Sequence, residues 1–193
     1  ELKVGGMQIF RSEGFDTMGK ILPRATEIAS SISVIYVGLT LGCALLYGVA
    51  GMSTFDAIIH AMTTIATGGF SNYDSSFGAF GPGVEYTAAV FMLLAALPFV
   101  RYVQLISGSG ARPLFRDRQI RAFFVIAAVL VLVLATWNWA LGDALTETGF
   151  RKSLFNVVSI LTGTGYASAD YMQWGPFAVT VLFFTGLIGG CAG

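Results

Sequence analysis

Two short stretches interrupt an otherwise apolar sequence with small and hydroxyl residues: TTIATGGFSNYD at 63–74 and LTGTGYASADY at 161–171. Neither stretch holds a nucleophile beside a base or a cluster of metal-binding side chains. Both hold glycine, which permits φ > 0 and lets a carbonyl oxygen point where a Cβ would block it. A ring of such carbonyls can replace the hydration shell of a cation. The chemistry open to these stretches is therefore cation coordination by backbone oxygen, with no covalent step.

The composition is that of a membrane protein. Hydrophobic residues make up 55% of the 193 residues and charged residues 11%, whereas a soluble domain carries about 25% charged residues. The net charge is zero, so the basic surface of a nucleic-acid-binding protein is not expected. The two cysteines, Cys43 and Cys191, lie in apolar sequence without a second cysteine nearby. This favours buried free thiols over a disulfide or a zinc site.

Four apolar segments approach or exceed the length of a membrane-spanning helix, about 20 residues: 27–49, 86–106, 121–141 and 176–193, the last unfinished. Two shorter segments, 54–66 and 150–162, precede the glycine stretches. At ~1.5 Å per residue each gives about 20 Å of helix, too short to cross the ~30 Å hydrocarbon core. We therefore predict an all-α membrane protein of potassium-channel-like design. Its tandem unit is a span, a re-entrant pore helix, a filter loop and a second span.

The two glycine-bearing loops match at an offset of 97 residues, which places 66–71 on 163–168. Gly68 then corresponds to Gly165, which lies in a GTGYA stretch that resembles the TVGYG filter signature of potassium channels. Irregular backbone at membrane depth must be buried in protein or line water, so we predict that these loops line an ion path. The candidate ligands are the carbonyl oxygens of Ala66, Thr67, Gly68, Gly69, Gly163, Thr164, Gly165 and Tyr166. Among them, potassium is assigned to Thr67, Gly68, Thr164 and Gly165.

Nine of the eleven basic residues lie on one predicted side of the membrane, near the start of the chain and around the link between the second and third spans. The positive-inside rule makes that side cytoplasmic. The short helices then enter from outside, with the negative ends of their dipoles at the membrane centre, which favours a cation. The basic link serves either as a membrane anchor or as a docking surface for a cytosolic partner. The predicted divisions are a cytoplasmic linker at 1–26, a pore repeat at 27–107, a cytoplasmic basic loop at 108–120 and a second pore repeat at 121–193.

Several stretches together resemble the TrkH/KtrB/HKT superfamily of potassium transporters, and within it the TrkH family. They are GGMQIFRSE at 5–13, the two loop stretches, FRDRQIR at 115–121 and FFTGLIGGCAG at 183–193. The resemblance implies four repeats around one ion path, so this chain would hold the second repeat and part of the third. Residues 1–26 would then follow a missing first repeat. One key glycine per repeat is implied, here Gly68 and Gly165, and glycine at both positions favours potassium over sodium.

The resemblance also implies a setting and partners. The protein would be a multi-pass protein of the bacterial cytoplasmic (inner) membrane, forming homodimers and binding a cytosolic, nucleotide-binding regulatory subunit of the TrkA type. Its ligands would be potassium ion and membrane lipid, with no organic cofactor and no nucleic acid. In this family the last helix of the third repeat breaks into a loop that obstructs the pore, here Gly189, Gly190, Cys191, Ala192 and Gly193. Close helix packing by small residues is the alternative role for this cluster.

We predict potassium uptake by selective, gated conduction through a backbone-carbonyl filter, driven by the membrane potential, and no enzyme activity. The alternative is an alternating-access or ion-coupled transporter of K⁺ or Na⁺. Such transporters usually use inverted repeats, whereas the repeats here run in the same orientation. An intramembrane serine protease is disfavoured, because the SGSG at 107–110 lies at the cytoplasmic end of a span and His60 has no matching serine motif.

A few polar side chains have two readings each. His60 is either a packing residue or a proton relay, and Arg101 either reaches the cytoplasmic boundary or pairs within the membrane. Asp74 and Asp170 follow the loops and either attract cations at the outer mouth or are solvated carboxylates. The hydroxyls of Thr67 and Thr164 occupy matching positions, so we expect both to contribute to the filter.

Overall fold

The computed structural model describes residues 25–109, 112–141 and 146–189. Every regular element within these ranges is helical, which confirms the predicted all-α class. The α-helices are α1 (Ala25–Val49), α2 (Thr54–Ile65), α3 (Pro82–Ala95), α4 (Phe99–Gln104), α5 (Arg112–Arg116), α6 (Arg118–Ala140), α7 (Glu147–Leu161) and α8 (Gly175–Ile188). Short 3₁₀ turns occupy Ser76–Ala79 and Tyr171–Trp174, and a π-helical turn occupies Leu105–Ser109.

Three segments are long and apolar enough to cross a membrane: Glu27–Val49, Arg118–Ala140 and Tyr171–Ile188. The first two lie in α1 and α6, close to the spans predicted at 27–49 and 121–141. The third combines a 3₁₀ turn with α8, which ends at Ile188 rather than continuing as far as predicted. Residues 190–193 lie outside the described part of the chain, as do residues 1–24 of the predicted linker.

Both predicted short helices are present and begin at side-chain caps. The Ser53 hydroxyl accepts the backbone N–H of Asp56 at 3.1 Å at the start of α2. The Thr146 hydroxyl accepts the N–H of Gly149 at 3.2 Å at the start of α7, which therefore begins three residues earlier than predicted. With 12 and 15 residues, these helices are about 18 and 23 Å long at ~1.5 Å per residue. Neither reaches across the hydrocarbon core.

The continuous span predicted at 86–106 is wrong. The helix stops at Ala95 and resumes at Phe99, and the two parts are bent by 86°. Pro98 causes the break, because proline lacks an N–H and disfavours helical backbone at the residue before it. The hydroxyl of Tyr102 donates to the carbonyl oxygen of Leu94 at 2.7 Å. This carbonyl, in the last turn of α3, also accepts the backbone N–H of Leu97 at 3.2 Å.

One hydrophobic cluster joins the two predicted repeats. Phe77, in the 3₁₀ turn after the first loop, is fully buried. Its ring lies 5.1 Å from that of Phe155 in α7 and 4.3 Å from that of Tyr166 in the second loop, measured between centroids. Tyr47 of α1 packs on the other side of Phe77 at 6.0 Å. This cluster fixes α7 and the second loop against the first predicted repeat.

Candidate ion-coordination site

The two loops have the same backbone pattern directly after their helices. Helix α2 is followed by Thr67 with φ 48° and Gly69 with φ 68°, and helix α7 by Gly163 with φ 75° and Gly165 with φ 87°. In ordinary extended backbone, successive residues point to opposite sides. A left-handed residue at every second position turns the alternate carbonyls back toward the same side. Each loop therefore has the backbone alternation needed to present successive carbonyls to one path.

The positive-φ residues show that the loops correspond at an offset of 96 residues, not the 97 predicted from the letters. The C-caps of the two helices, Ala66 and Thr162, directly precede the first positive-φ residue of each loop and are also 96 residues apart. The same offset relates two side-chain hydrogen bonds. The Thr63 hydroxyl donates to the Phe70 carbonyl at 2.9 Å, and the Ser159 hydroxyl donates to the Tyr166 carbonyl at 2.7 Å.

This offset changes the equivalent glycine in the first loop. Gly69, not Gly68, occupies the place of Gly165, and Gly68 corresponds to Thr164. Sequence identity gave the wrong register because ATGG at 66–69 and GTGY at 163–166 both contain a Thr-Gly pair, and aligning these pairs gives an offset of 97. The helix ends and the two hydroxyl–carbonyl hydrogen bonds set the offset at 96.

Hydrogen bonding separates carbonyls that are held by protein from carbonyls that are free. The Tyr166 carbonyl, one of the predicted ion ligands, accepts the Ser159 hydroxyl of α7 at 2.7 Å. Farther along, the Ala167 carbonyl accepts the N–H of Phe77 at 2.9 Å. Six carbonyls lie between the helix caps and the first held carbonyl of each loop, and within the described ranges no hydrogen bond reaches them. They belong to Thr67, Gly68, Gly69, Gly163, Thr164 and Gly165. Ala66 also has a carbonyl without a partner there, but it belongs to the helix cap rather than to the alternating segment.

The centres of the two loops lie against each other. A Cβ added to Gly69 would overlap the carbonyl oxygen of Thr164, whereas a Cβ on Gly165 would meet nothing within 4 Å. Gly69 is thus required both by its positive φ and by the close approach of the second loop. The adjacency agrees with two loops that face one path.

The threonine side chains of the two loops differ in their surroundings. The Thr164 hydroxyl is buried and lies 2.8 Å from the hydroxyl of Thr162, so it has a hydrogen-bond partner within the protein. Thr67 is half-buried, with a strained φ for a residue with a branched side chain.

The Tyr166 side chain enters the first repeat, a contact that the sequence did not predict. Its hydroxyl lies in hydrogen-bonding contact with the Thr63 hydroxyl and 3.3 Å from that of Thr64. It also donates to the carbonyl oxygen of His60 at 3.2 Å. The Tyr47 hydroxyl, from α1, reaches Thr64 at 2.8 Å. The available signal was a pair of tyrosines in apolar surroundings, since a buried tyrosine hydroxyl usually finds a polar partner.

His60 is fully buried and acts as a packing residue with polar contacts. Its Nδ1 lies 2.8 Å from the Asp56 carbonyl oxygen, and its Nε2 lies 2.9 Å from the Ser71 hydroxyl. The rings of Phe77 and Phe80 meet it edge-on at 5.5 and 5.1 Å. The described residues give it no carboxylate hydrogen-bond partner, so the packing reading fits better than the proton relay.

Arg101 pairs with Asp117, the residue that caps α6. The shortest guanidinium–carboxylate distance is 2.6 Å, and the other oxygen of Asp117 accepts the N–H of Gln119 at 2.8 Å. Partial burial acts to raise the pKa of Asp117, but the Gln119 N–H and the Arg101 guanidinium outweigh it and hold that pKa below its ordinary value. Arg101 therefore links the broken span to the start of α6.

The outer carboxylates differ in their contacts. Asp170 accepts the backbone N–H of Met172 at 3.2 Å and the Gln173 side chain at 2.8 Å, which assigns it to capping the 3₁₀ turn. Asp74 is exposed. Among the described residues, no group of three or more His, Cys, Asp and Glu side chains is placed to hold a metal ion, and Cys43 is a buried free thiol.

Only the first residue of the predicted gate loop is described. Gly189 ends α8 with φ 69° and ψ 176°, a conformation that is accessible essentially to glycine alone. The helix therefore ends at the first residue of the predicted gate loop. Gly190, Cys191, Ala192 and Gly193 lie outside the described residues.

Comparison with known proteins agrees with this geometry. Residues 2–193 match the model of TrkH, a cation transport protein family. The chain is 43% identical to the Trk system potassium uptake protein TrkI of Halomonas elongata, over 100% of this chain and 39% of the relative. It is 36% identical to TrkH of Escherichia coli K12, over 100% of this chain and 41% of the relative.

A solved structure has the same fold. The crystal structure of the potassium transporter TrkH from Vibrio parahaemolyticus matches with a TM-score of 0.83 and 35% identity, over 90% of this chain and 38% of that chain. The chain therefore spans about two fifths of the length of the curated relatives it matches.

Proposed function

The chain belongs to the TrkH family of cation transport proteins, and from this premise we propose that it supplies two sides of a gated potassium path. Membership confirms the predicted resemblance and the location in the bacterial inner membrane. It also supports the role as a transporter rather than an enzyme. The proposal concerns the mechanism. Potassium would bind to backbone carbonyls of the two loops and move inward, driven by the membrane potential.

One observation carries this proposal. The carbonyls from Thr67 to Gly69 and from Gly163 to Gly165 lack hydrogen-bond partners among the described residues, while those that follow are held by Ser159, Thr63 and Phe77. Thr164 is buried, Thr67 and Gly69 are half-buried, and the other three residues are exposed in this chain. At membrane depth, irregular backbone is tolerated only where it is buried in protein or lines water. A run of carbonyls without protein partners therefore favours a place where an ion or water supplies the partner. The matched positions are Thr67 with Gly163, Gly68 with Thr164 and Gly69 with Gly165.

The helices support a cation over an anion. Helices α2 and α7 both end directly before the alternating segments. The C-terminal end of a helix carries a partial negative charge, and its effect is confined to the last turn. This potential favours a cation at each loop.

Assembly is also a proposal. The relatives are named as parts of a Trk system, which supports a larger complex. We expect a homodimer that binds a cytosolic, nucleotide-binding regulatory subunit of the TrkA type. Co-purification with such a subunit, followed by light scattering of the complex in detergent, measures both points.

The test of the path is ion flux through the protein produced at its full natural length and reconstituted in liposomes. Rb⁺ and K⁺ uptake should exceed Na⁺ uptake. Serine at the φ of Gly165 costs roughly 1–2 kcal/mol, so Gly165→Ser should lower the K⁺/Na⁺ ratio about tenfold. Gly81→Ala is the matched control, because Gly81 has φ −81° and open space around it.

Two results would reject the proposal: no cation uptake by the wild-type protein, or an unchanged ratio in Gly165→Ser with normal protein yield. Recording in a planar bilayer separates the mechanisms. Unitary currents indicate conduction, whereas uptake without unitary currents favours the alternating-access or ion-coupled alternative.

A further inference from the structure

The Glu85 carboxylate, in the first turn of α3, is fully buried between two cations of the other repeat. One oxygen lies 2.7 Å from Nη1 of Arg151 and the other lies 2.7 Å from Nζ of Lys152. Both cations belong to α7, the second pore helix. Buried charge is costly unless it is paired, and here the pairing joins the two repeats.

Lys152 also holds the second loop. Its Nζ donates to the carbonyl oxygen of Ser168 at 2.6 Å, and Ser168 is the last residue of the predicted filter segment 163–168. Asn156 accepts the Ser168 N–H at 3.2 Å and donates to its hydroxyl at 3.1 Å. The outer end of the loop is thus attached to α7 through three atoms of one residue.

The two cations stand where a general rule disfavours them. Both lie in the second turn of α7, on the side of the membrane predicted to be poor in basic residues. Glu85 and Glu147 supply the compensation. Arg151 Nε lies 2.7 Å from Glu147 Oε1, so the four side chains carry no net charge.

We propose that Glu85 is a positioning residue for the second loop: it neutralises Lys152 and so allows this lysine to hold Ser168 without repelling an entering cation. The inference rests on the proposed function, since it requires a cation to pass the loop. It assigns Glu85, Lys152 and Ser168 to one unit that spans both repeats.

Distance makes the charge relevant to ion entry. Ser168 lies three residues beyond Gly165, about 10 Å along extended backbone, which is close to the Debye length of ~8 Å at physiological ionic strength. At an effective dielectric constant of ~20, an uncompensated charge at this distance weakens cation binding about tenfold. Glu85→Gln creates that charge and changes the shape of the side chain little.

The experiment measures Rb⁺ uptake by the natural-length protein in liposomes as a function of Rb⁺ concentration. Glu85→Gln should raise the half-saturating concentration about tenfold, and added choline chloride should reduce the defect by screening. Glu85→Gln with Lys152→Met removes both charges and should restore the half-saturating concentration. Lys152→Met alone should lower the Rb⁺/Na⁺ ratio, because Ser168 loses a hydrogen bond while the negative charge remains.

Glu147→Gln is the charge-matched control. It removes the same charge from the same cluster, but the Glu147 side chain is 54% exposed, so we expect less than a twofold change. Thermal unfolding in detergent is measured for each variant.

Three results would overturn the inference: unchanged half-saturation in Glu85→Gln, a defect insensitive to salt, or a double variant as impaired as the single one. The last pattern would show a purely structural role. Failure of the proposed function gives a different result, because the wild-type protein itself would then show no selective cation uptake.

Discussion

Tyr166 belongs to the second loop, yet its hydroxyl donates to the carbonyl oxygen of His60, in the pore helix of the first repeat, at 3.2 Å. The side chain is 1% exposed, and its ring packs against Phe77. The second loop is therefore positioned by contacts with both repeats. A change at this tyrosine should alter the relation between the loops rather than either loop alone.

Tyr166→Phe keeps the ring and removes the hydroxyl. We expect a loss of about 1 kcal/mol in the free energy of unfolding, since the His60 carbonyl loses a buried donor. We also expect a lower K⁺/Na⁺ uptake ratio, because the loop is less well fixed. Thermal unfolding in detergent and liposome flux measure these effects.

Tyr73→Phe is the control for this prediction. The Tyr73 hydroxyl donates to Asp56 at 3.0 Å but its side chain is exposed. Its removal should leave selectivity unchanged. Equal loss of selectivity in both variants would contradict the positioning role of Tyr166.

The 96-residue offset predicts different effects at two adjacent glycines. Gly69→Ser places a side chain at φ 68° against the Thr164 carbonyl, and a clash with backbone costs roughly 1–3 kcal/mol. We expect a fall of about tenfold or more in the K⁺/Na⁺ ratio. At Gly68, a Cβ would meet the movable Phe70 ring at 3.3 Å, so Gly68→Ser should change the ratio less. A larger effect of Gly68→Ser than of Gly69→Ser would contradict the offset of 96 and support the offset of 97.

Gly189→Ala tests the break at the end of α8. Alanine cannot adopt φ 69° and ψ 176° without a cost of roughly 1–3 kcal/mol, so the break should be destabilised. If the following loop obstructs the pore, basal K⁺ flux should rise at least about fivefold, the equivalent of ~1 kcal/mol.

Gly186→Ala, in the same helix, is the control for Gly189→Ala. Its Cβ would make an ordinary contact with Ile160 at 3.5 Å, so flux should stay at the wild-type level. Unchanged or reduced flux in Gly189→Ala would argue for a packing role of the glycines.

Asp117→Asn tests the link between the broken span and α6. The pKa of Asp117 is lower in the folded protein than its ordinary value, so the carboxylate adds stability above its unfolded pKa, and this contribution disappears as the pH falls through the folded pKa. The wild-type protein should be more stable than Asp117→Asn by at most ~1 kcal/mol at pH 7.

The difference in unfolding temperature between the wild type and Asp117→Asn should vanish in acid. Asparagine retains an oxygen for the Gln119 N–H, so helix capping is preserved. A difference that is the same at pH 7 and pH 3 would show that the Arg101–Asp117 pair contributes nothing through charge.

Composition and the spacing of apolar segments predicted most of the helices. Long apolar segments must be helical in a membrane because each backbone group needs a partner within its own segment, so α1 and α6 were predictable from length alone. The short helices α2 and α7 followed from the same arithmetic, since 12 and 15 residues cannot cross. The glycine-bearing loops were recognisable as the candidate site because they follow helices that are too short to cross the membrane and therefore hold non-helical backbone at membrane depth.

The sequence failed where a side-chain hydrogen bond or an ion pair decides the outcome. Letter identity aligned Gly68 with Gly165, because it does not register where a helix ends or which carbonyl a hydroxyl holds. The hydrogen bond from the Ser159 hydroxyl to the Tyr166 carbonyl was not predicted, because spacing does not reveal which hydroxyl reaches a given carbonyl. Arg151 and Lys152 were counted only as exceptions to a charge rule.

The sequence by itself determined the class of protein, the segments that can cross a membrane and the position of the two loops proposed to bind a cation. Only the tertiary structure decided the register of the loops, the bend at Pro98 and the burial of Glu85 against Lys152. The physical reason is that hydrophobicity and glycine content act locally, residue by residue. Hydrogen bonds and ion pairs between repeats instead depend on which surfaces meet, and packing around Phe77 brings together residues that are about 100 positions apart.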